Sequence, residues 1–397
     1  MHLMKGSKIL AINAGSTSLK FALFSDTLNE THSGSIDWAQ GGPSRSIFQV
    51  QDLNGDTIRN TLSMADGRAA AGYVIEFLAG RHSIGAVGHR IVHGGTRFHA
   101  SQKIDGQVKK AVADLCDIAP LHNPPALAGI EAAEKALPGV EQIAVFDTAF
   151  FARMEPRAFL YPVPYEWYEQ HGIRRIGFHG ISNAYCEKRA LNMLGGDRKY
   201  AIVICHLGGG CSATGIYGGT PVATTMGMTP LEGLMMGSRC GSIDPGILLE
   251  LLRKKIITLE AVDDALNHRS GLLGISGVSA DLASIEKAAS DGNERAWIAF
   301  EMFTDRVRSA IGALAVSMGG VDALVFTDRI GENSPKAREA ICSGLQCLSI
   351  SICKERNWTC KPDADIAEPD SKARILVIHT REEYMIASET RDVISKH

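Results

Sequence analysis

Three stretches of the chain set arginine or histidine among glycines in a way that suits the handling of anions. Gly88-His89-Arg90-Ile91-Val92-His93-Gly94-Gly95 places one arginine and two histidines beside a glycine pair. Arg174-Arg175-Ile176-Gly177-Phe178-His179-Gly180 holds a histidine between glycines, and Met236-Gly237-Ser238-Arg239-Cys240-Gly241 carries another arginine among small residues. The planar fork of a guanidinium matches carboxylate and phosphate oxygens. Each stretch alone reads equally well as a surface ion pair or a satisfied buried histidine. Together, where backbone can crowd a ligand, they read as a site that moves an anionic group.

Two turns of small residues fit the same chemistry. In Asn13-Ala14-Gly15-Ser16-Thr17-Ser18-Leu19-Lys20, backbone N–H groups and hydroxyls could ring an anion beside the point charge of Lys20. Most such turns merely turn, so this one needs support. His206-Leu207-Gly208-Gly209-Gly210 is the stronger signal, because three successive glycines after an apolar run carry an entropy cost that close approach to a phosphate would explain. Neither a GxxxxGK[ST] loop nor a GxGxxG loop is present. Asp147 closes the apolar run 143–146, and Glu382 follows the apolar run 375–378. Carboxylates at strand ends facing phosphate loops are the expected ligands of Mg2+. The plainer alternatives are a turn residue for Asp147 and the first turn of the last helix for Glu382.

The elements that must position these groups show a repeat. Residues 8–25 and 200–219 each read as a buried strand, a turn of small residues and a returning strand. The spacing of about half a chain predicts two related α/β lobes with a cleft between them. Asp322–Pro335 reads as a further strand-to-turn junction with Gly331 in the turn. Gly106–Cys116, Ala126–Leu137 and Ala296–Met318 have helical spacing, the last ending at Gly319-Gly320. Arg157–Gly172, rich in Tyr and Pro, reads as a poor helix and a crossing between lobes.

The composition excludes several classes. With 397 residues, 45% hydrophobic and 21% charged, the chain has the profile of a globular protein of two or three domains. A net charge of −3 without a basic block gives no footprint for nucleic acid or an anionic membrane. No run reaches the ~20 apolar residues of a membrane span, and residues 1–8 do not read as a signal peptide. The nine scattered cysteines include no CxxC pair, which reads as reduced thiols in a cytoplasmic protein rather than a zinc site.

A set of long strings then resembles the acetate kinases, within the superfamily of acetate and sugar kinases, heat-shock proteins and actin. They are INAGSTSLKF, VGHRIVHGG, PLHNPPAL, VFDTAFF, RRIGFHGISN, CHLGGG, TPLEGLMMGSRCGSIDPG, SGLLGISGVSADL, VFTDRIGENS and HTREEYMIASET, running nearly end to end. The resemblance implies a duplicated ribonuclease-H-like, actin-like ATPase fold. Residues 1–149 with the C-terminal helix 384–397 would form one lobe. Residues 150–383 would form the other, with the active site in an interlobe cleft and a homodimer joined through the C-terminal lobe. It implies reversible, in-line phosphoryl transfer between ATP and acetate with Mg2+ or Mn2+, giving acetyl phosphate and ADP. Asn13 and Glu382 would hold the metal. Ser16, Ser18 and Lys20 would lie on the phosphates, as would the turn His206, Leu207, Gly208, Gly209 and Gly210. Arg90 and Arg239 would grip the carboxylate and the moving phosphoryl group, Asp147 would be the essential acid, and His122 and His179 would touch the phosphoryl. Val92, Leu121, Phe178 and Pro230 would wall the methyl pocket. Asp281, Leu282 and Ala283, with Arg329, Ile330, Gly331, Glu332 and Asn333, would line the adenosine region.

The chain departs from the family pattern in one region. Gly209 stands where Asn is frequent, Ala283 where Arg is frequent, and Asp328-Arg329 where Ala-Gly is usual. The expectation is that Arg329 replaces the cation lost at Ala283 and stacks on the base. Three rival readings are a propionate or butyrate kinase, a kinase using pyrophosphate with Arg329 across the nucleoside cleft, and a non-catalytic actin-like module.

Overall fold

A computed structural model of the chain describes residues 6–15, 18–37, 46–64, 67–119, 122–196 and 198–396. The first elements are β1 (Lys8–Ala14), β2 (Ser18–Phe24), β3 (Glu30–Asp37), β4 (Ser46–Asp52), β5 (Thr57–Leu62), α1 (Gly67–Ala79), β6 (Ile84–Ile91), β7 (Gln102–Lys103), α2 (Gly106–Ala113), α3 (Asn123–Ala136) and β8 (Glu141–Phe146). A 3-10 turn, Asp147–Arg153, precedes α4 (Pro156–Phe159), α5 (Tyr165–His171), α6 (Gly180–Leu194), β9 (Ala201–Leu207), β10 (Cys211–Tyr217) and β11 (Thr220–Thr224). Then come α7 (Pro245–Arg253), α8 (Leu259–His268), α9 (Gly271–Ser276), α10 (Leu282–Ser290), α11 (Glu294–Met318), β12 (Ala323–Thr327), α12 (Asp328–Asn333) and α13 (Pro335–Cys342). The chain closes with α14 (Lys354–Thr359), β13 (Ala364–Asp365), β14 (Arg374–Val377) and α15 (Glu382–Ser395).

These elements form two compact units. Unit 1 comprises Met1–Ala152, Gly180–Ser182 and Arg381–His397, and unit 2 comprises Arg153–His179 and Asn183–Thr380.

Unit 1 is built on a sheet of order β5-β4-β3-β2-β1-β6-β8-β7. β1 and β2 pair antiparallel, while β1, β6 and β8 run parallel. The central strands are continuous apolar runs because both faces are covered. Helices α1 and α3 pack on the core that includes Leu10, Ile12, Leu23, Val74 and Val87. Helix α15 packs on β1 and β6. Gly88 is what lets α15 come so close, since a Cβ there would collide with Thr390 and Ile386.

Unit 2 repeats the plan with order β11-β10-β9-β12-β14-β13. β9 and β10 form an antiparallel hairpin, and β9, β12 and β14 are parallel. The expected duplication is therefore present in the topology: β3-β2-β1-β6-β8 in one unit matches β11-β10-β9-β12-β14 in the other. The long helix α11 starts on Asn293, whose side chain accepts the Ala296 N–H, and stops at Gly319 with φ +77°. One expectation fails locally. Arg157–Gly172 forms the short helices α4 and α5, because Pro156 opens one at its first turn and Gly172, at φ +64°, closes the other.

Candidate active site

In unit 1 the strand ends bring four predicted residues together. The register pairs Ile12 with His89 and Ile91 with Phe146, so Asn13, Arg90 and Asp147 lie side by side at the carboxyl ends of β1, β6 and β8. Arg90 donates from Nε and Nη2 to Asp147 Oδ2, at 3.0 and 2.6 Å, and from Nη1 to Asn13 Oδ1 at 2.9 Å. The Asn13 amide donates to Glu382 Oε2 at 2.8 Å and Glu383 Oε1 at 3.0 Å. Burial opposes the charge on Arg90, but Asp147, Glu382 and Glu383 outweigh it and hold its pKa above the ordinary guanidinium value. Asp147 is fully buried, and its second oxygen accepts the Ile181 N–H at 3.0 Å. A Cβ on Gly180 would collide with the Asp147 backbone carbonyl, so glycine is required where α6 starts against the Asp147 backbone.

The neighbouring predicted residues are placed by the same elements. Lys20 sits directly opposite Asn13 in the β1–β2 hairpin, and Gly15 N–H donates to Ser18 O at 2.8 Å across the turn. Ser16 and Leu121 lie outside the described residues. His122 precedes α3, where Asn123 binds the His93 backbone through both ends of its amide, so His122 is tied to the segment holding Val92. The two histidines flanking Arg90 are structural. His89 Nε2 meets Gln142 at 2.7 Å, and burial pulls its pKa down to about 4. The His93 ring accepts the Gly95 N–H and shapes the glycine pair.

In unit 2 a second group forms at the glycine turn. His179 has φ +59° at the start of α6, its Nδ1 meets Ser212 Oγ at 2.9 Å, and its ring stacks on His206 at 4.0 Å. A Cβ on Gly210 would stand 3.4 Å from His179 Nε2 and 3.5 Å from Arg239 Nη2. His179 and Arg239 thus converge on bare backbone. Arg239 donates to the Pro230 carbonyl at 2.8 Å. Burial lowers its pKa, and it makes no ion pair among the described residues, so its charge is available to an anion. Phe178 is buried beside Ile176 and Gly177, whose N–H groups donate to Gly227 O in the loop that carries Pro230.

The adenosine-region residues divide. Leu282 and Ile330 are buried, and Ala283 is exposed. Asp281 caps α10 through the Ser284 N–H and pairs with Arg329. Glu332 faces inward: it accepts the Asp328 N–H at 3.0 Å and meets His379 Nδ1 at 2.7 Å. Asn333 donates to the Arg329 carbonyl. A Cβ on Gly331 would press on Phe326 backbone at 3.2 Å. A Cβ on Gly209 would meet nothing within 4 Å, and one on Gly208 would collide with the Asp328 carboxylate. Leu207 is buried as the last residue of β9.

Three features of these groups escaped the sequence reading. Glu383 joins Glu382 on Asn13, and adjacency was its only signal. Ser212 orients His179, but nothing marks it among the alternating residues of β10. The Tyr161–Glu232–Arg175 cluster braces the Pro230 loop: Glu232 accepts from the Tyr161 hydroxyl at 2.6 Å and from Arg175 Nη2 at 3.1 Å.

The sequence model of the acetokinase family matches residues 8–388. An acetate kinase of Nostoc punctiforme is 45% identical over 404 residues, covering 98% of this chain and 99% of that protein. The crystal structure of Porphyromonas gingivalis acetate kinase superimposes with a TM-score of 0.88 at 39% identity, over 98% of this chain and 100% of that one. A propionate kinase from Francisella tularensis superimposes at 0.90 with 34% identity and the same coverage.

Proposed function

The chain belongs to the acetokinase family, and we propose that it transfers the terminal phosphoryl group of ATP to acetate, reversibly, giving acetyl phosphate and ADP. The observation that carries the proposal is the convergence of His179 and Arg239 on Gly210, two groups suited to neutralising a phosphoryl group against unobstructed backbone.

Acetate resembles a Glu side chain, with a pKa of about 4.3, and is already an anion near neutral pH. The reaction therefore needs no general base. Its obstacle is bringing two anions together, and catalysis becomes positioning plus electrostatic stabilisation. In this reading Arg90 grips the carboxylate while Asp147 fixes its fork. Arg239 and His179 neutralise the moving phosphoryl, with His179 oriented by Ser212, and His122 also touches it. Ser16, Ser18, Lys20 and the 206–210 turn hold the phosphates. Val92, Leu121, Phe178 and Pro230 wall the methyl group, and residues 281–283 and 329–333 border the adenosine.

A divalent cation would supply further charge neutralisation at the phosphates. Asn13 and Glu382 are the residues proposed to hold it, and their oxygens, with Glu383 adjacent, suit a hard ion such as Mg2+ or Mn2+. Among the described residues no cluster of three His, Cys, Asp or Glu could hold a metal by itself. Mg2+ ordinarily takes one or two carboxylates and completes its shell with substrate phosphates and water, so the donor set fits.

We also propose a homodimer joined through unit 2, where Ile243, Ile247, Leu249, Ile256 and Leu259 are exposed. A cytoplasmic setting is supported by the nine free cysteines and by the lack, among the described residues, of any helix long and apolar enough to cross a membrane.

The test is to trap acyl phosphate with hydroxylamine while acetate, propionate and butyrate are crossed with ATP, GTP and pyrophosphate. Acetate with ATP should give the highest kcat/KM. Propionate should follow closely, since one methylene in an apolar pocket discriminates by only about 1–3 kcal/mol. No hydroxamate from any pair would overturn the proposal.

A further inference from the structure

The parallel register pairs Thr327 with His206, so Asp328 emerges beside the first residues of the glycine turn. Its carboxylate lies against the Gly208 backbone, filling the space a Cβ would occupy, and its Oδ2 stands 3.4 Å from His206 Nε2. The backbone there is left-handed, with φ +63°. That conformation is uncommon outside glycine and carries a strain cost, and such outliers persist where the surroundings enforce them. Glu332 does so here by accepting the Asp328 N–H at 3.0 Å while it also binds the Thr380 N–H and His379. The side chain remains partly open to solvent. A negative charge is thus held by a strained, braced backbone on the very turn read as the phosphate cradle.

We propose that the Asp328 carboxylate selects the divalent-metal complex of the donor polyphosphate, repelling the free polyanion from the glycine turn and favouring the same phosphates once a cation lies between them. The inference rests on the phosphate-binding reading of residues 206–210. The geometry supplies its logic. Gly210 faces Arg239 and His179, which favour any phosphate, whereas Gly208 faces Asp328, which disfavours an uncompensated one. A single turn with opposite charges at its two ends can discriminate between charge states of one ligand.

The experiment is a calorimetric titration of the full chain, without acetate, with ATP and with inorganic tripolyphosphate, each in excess Mg2+ and in EDTA. In Asp328→Asn, metal-free ATP should bind about tenfold tighter than in the wild type. The ratio of affinities with and without Mg2+ should fall by about tenfold or more, a tenfold change being about 1.4 kcal/mol. Tripolyphosphate should show the same shift, since the base takes no part. Asp328→Glu should keep a ratio near that of the wild type. An unchanged ratio in Asp328→Asn, or weaker metal-free binding, overturns the proposal, as does a wild type that binds neither polyphosphate with Mg2+. Asp328→Ala, with thermal melting of all variants, separates loss of fold from loss of selection. The acyl-transfer reading stands or falls separately: hydroxamate formation with an unchanged ratio defeats only this inference, and a collapsed ratio without hydroxamate defeats only that reading.

Discussion

Arg90 and Arg239 carry the same group and are held in opposite ways. Arg90 is surrounded by carboxylates, and its pKa is raised despite burial. It is a fixed fork whose geometry Asp147 sets, and removing either partner would leave an unpaired charge in a buried place. Arg239 is half-buried with a neutral carbonyl for a partner, and burial lowers its pKa. It gives little to the fold and has charge to offer a ligand. Arg239→Leu should therefore cost no more than about 1 kcal/mol of stability, the usual net worth of a hydrogen bond. Its kcat should fall on the order of 10²-fold, as when one electrostatic stabiliser is removed from an active site. Melting curves and acyl-phosphate kinetics read the two effects separately. An unchanged kcat would remove Arg239 from the reaction.

At the scale of elements, the loop 225–233 is braced from outside by side chains of the preceding segment. Arg175 donates to the Thr225 and Met226 carbonyls at 2.8 Å, and Tyr161 accepts the Met228 N–H at 2.9 Å while donating to Glu232. Burial and the Glu232 bond push the Tyr161 pKa up to about 12, so the phenol stays protonated as a donor. The loop carries the Pro230 carbonyl that holds Arg239. Tyr161→Phe should destabilise by about 1.5–3 kcal/mol, the range for a hydrogen bond to a charged group. It should raise the KM for acetate several-fold while leaving ATP affinity in place. Equal changes in both ligands would mean general loosening instead. Such bracing was illegible in the sequence: Tyr161, Arg175 and Glu232 are far apart in the chain, and no periodicity links them. Strands such as β9 and β12 were legible because complete burial demands unbroken apolar runs. The Asn13–Arg90–Asp147 set was legible because strand ends and glycines mark it. Helix α3 begins earlier than its apolar spacing implied, since Pro124 and Pro125 fit a first turn that lacks N–H partners anyway.

Across the whole molecule, one sheet plan is used twice with different decoration. In unit 1 the parallel strands β1, β6 and β8 end at Asn13, Arg90 and Asp147, a group rich in carboxylate oxygens. In unit 2 the equivalent strands end at the glycine turn, at Asp328 and near His379, a group rich in imidazole and bare backbone. The two units share a frame and differ in the groups they carry at their strand ends. Unit 2 also carries α7, which buries none of its residues within the chain. Its Ile247 and Leu249, with nearby Ile243, Ile256 and Leu259, leave five large apolar side chains exposed within 17 positions. Single exposed apolar residues need no explanation, and it is this group that the proposed homodimer would cover. A second copy of the chain is the simplest occupant, because closed two-fold pairs dominate soluble oligomers. Light scattering should give the wild type about twice the 42.6 kDa chain mass. The double substitution Leu249→Glu with Ile256→Glu should return the single-chain mass, and its melting temperature should lose the dependence on protein concentration that a dimer shows. A wild-type monomer, or a double variant that still pairs, would place the contact elsewhere or abolish it.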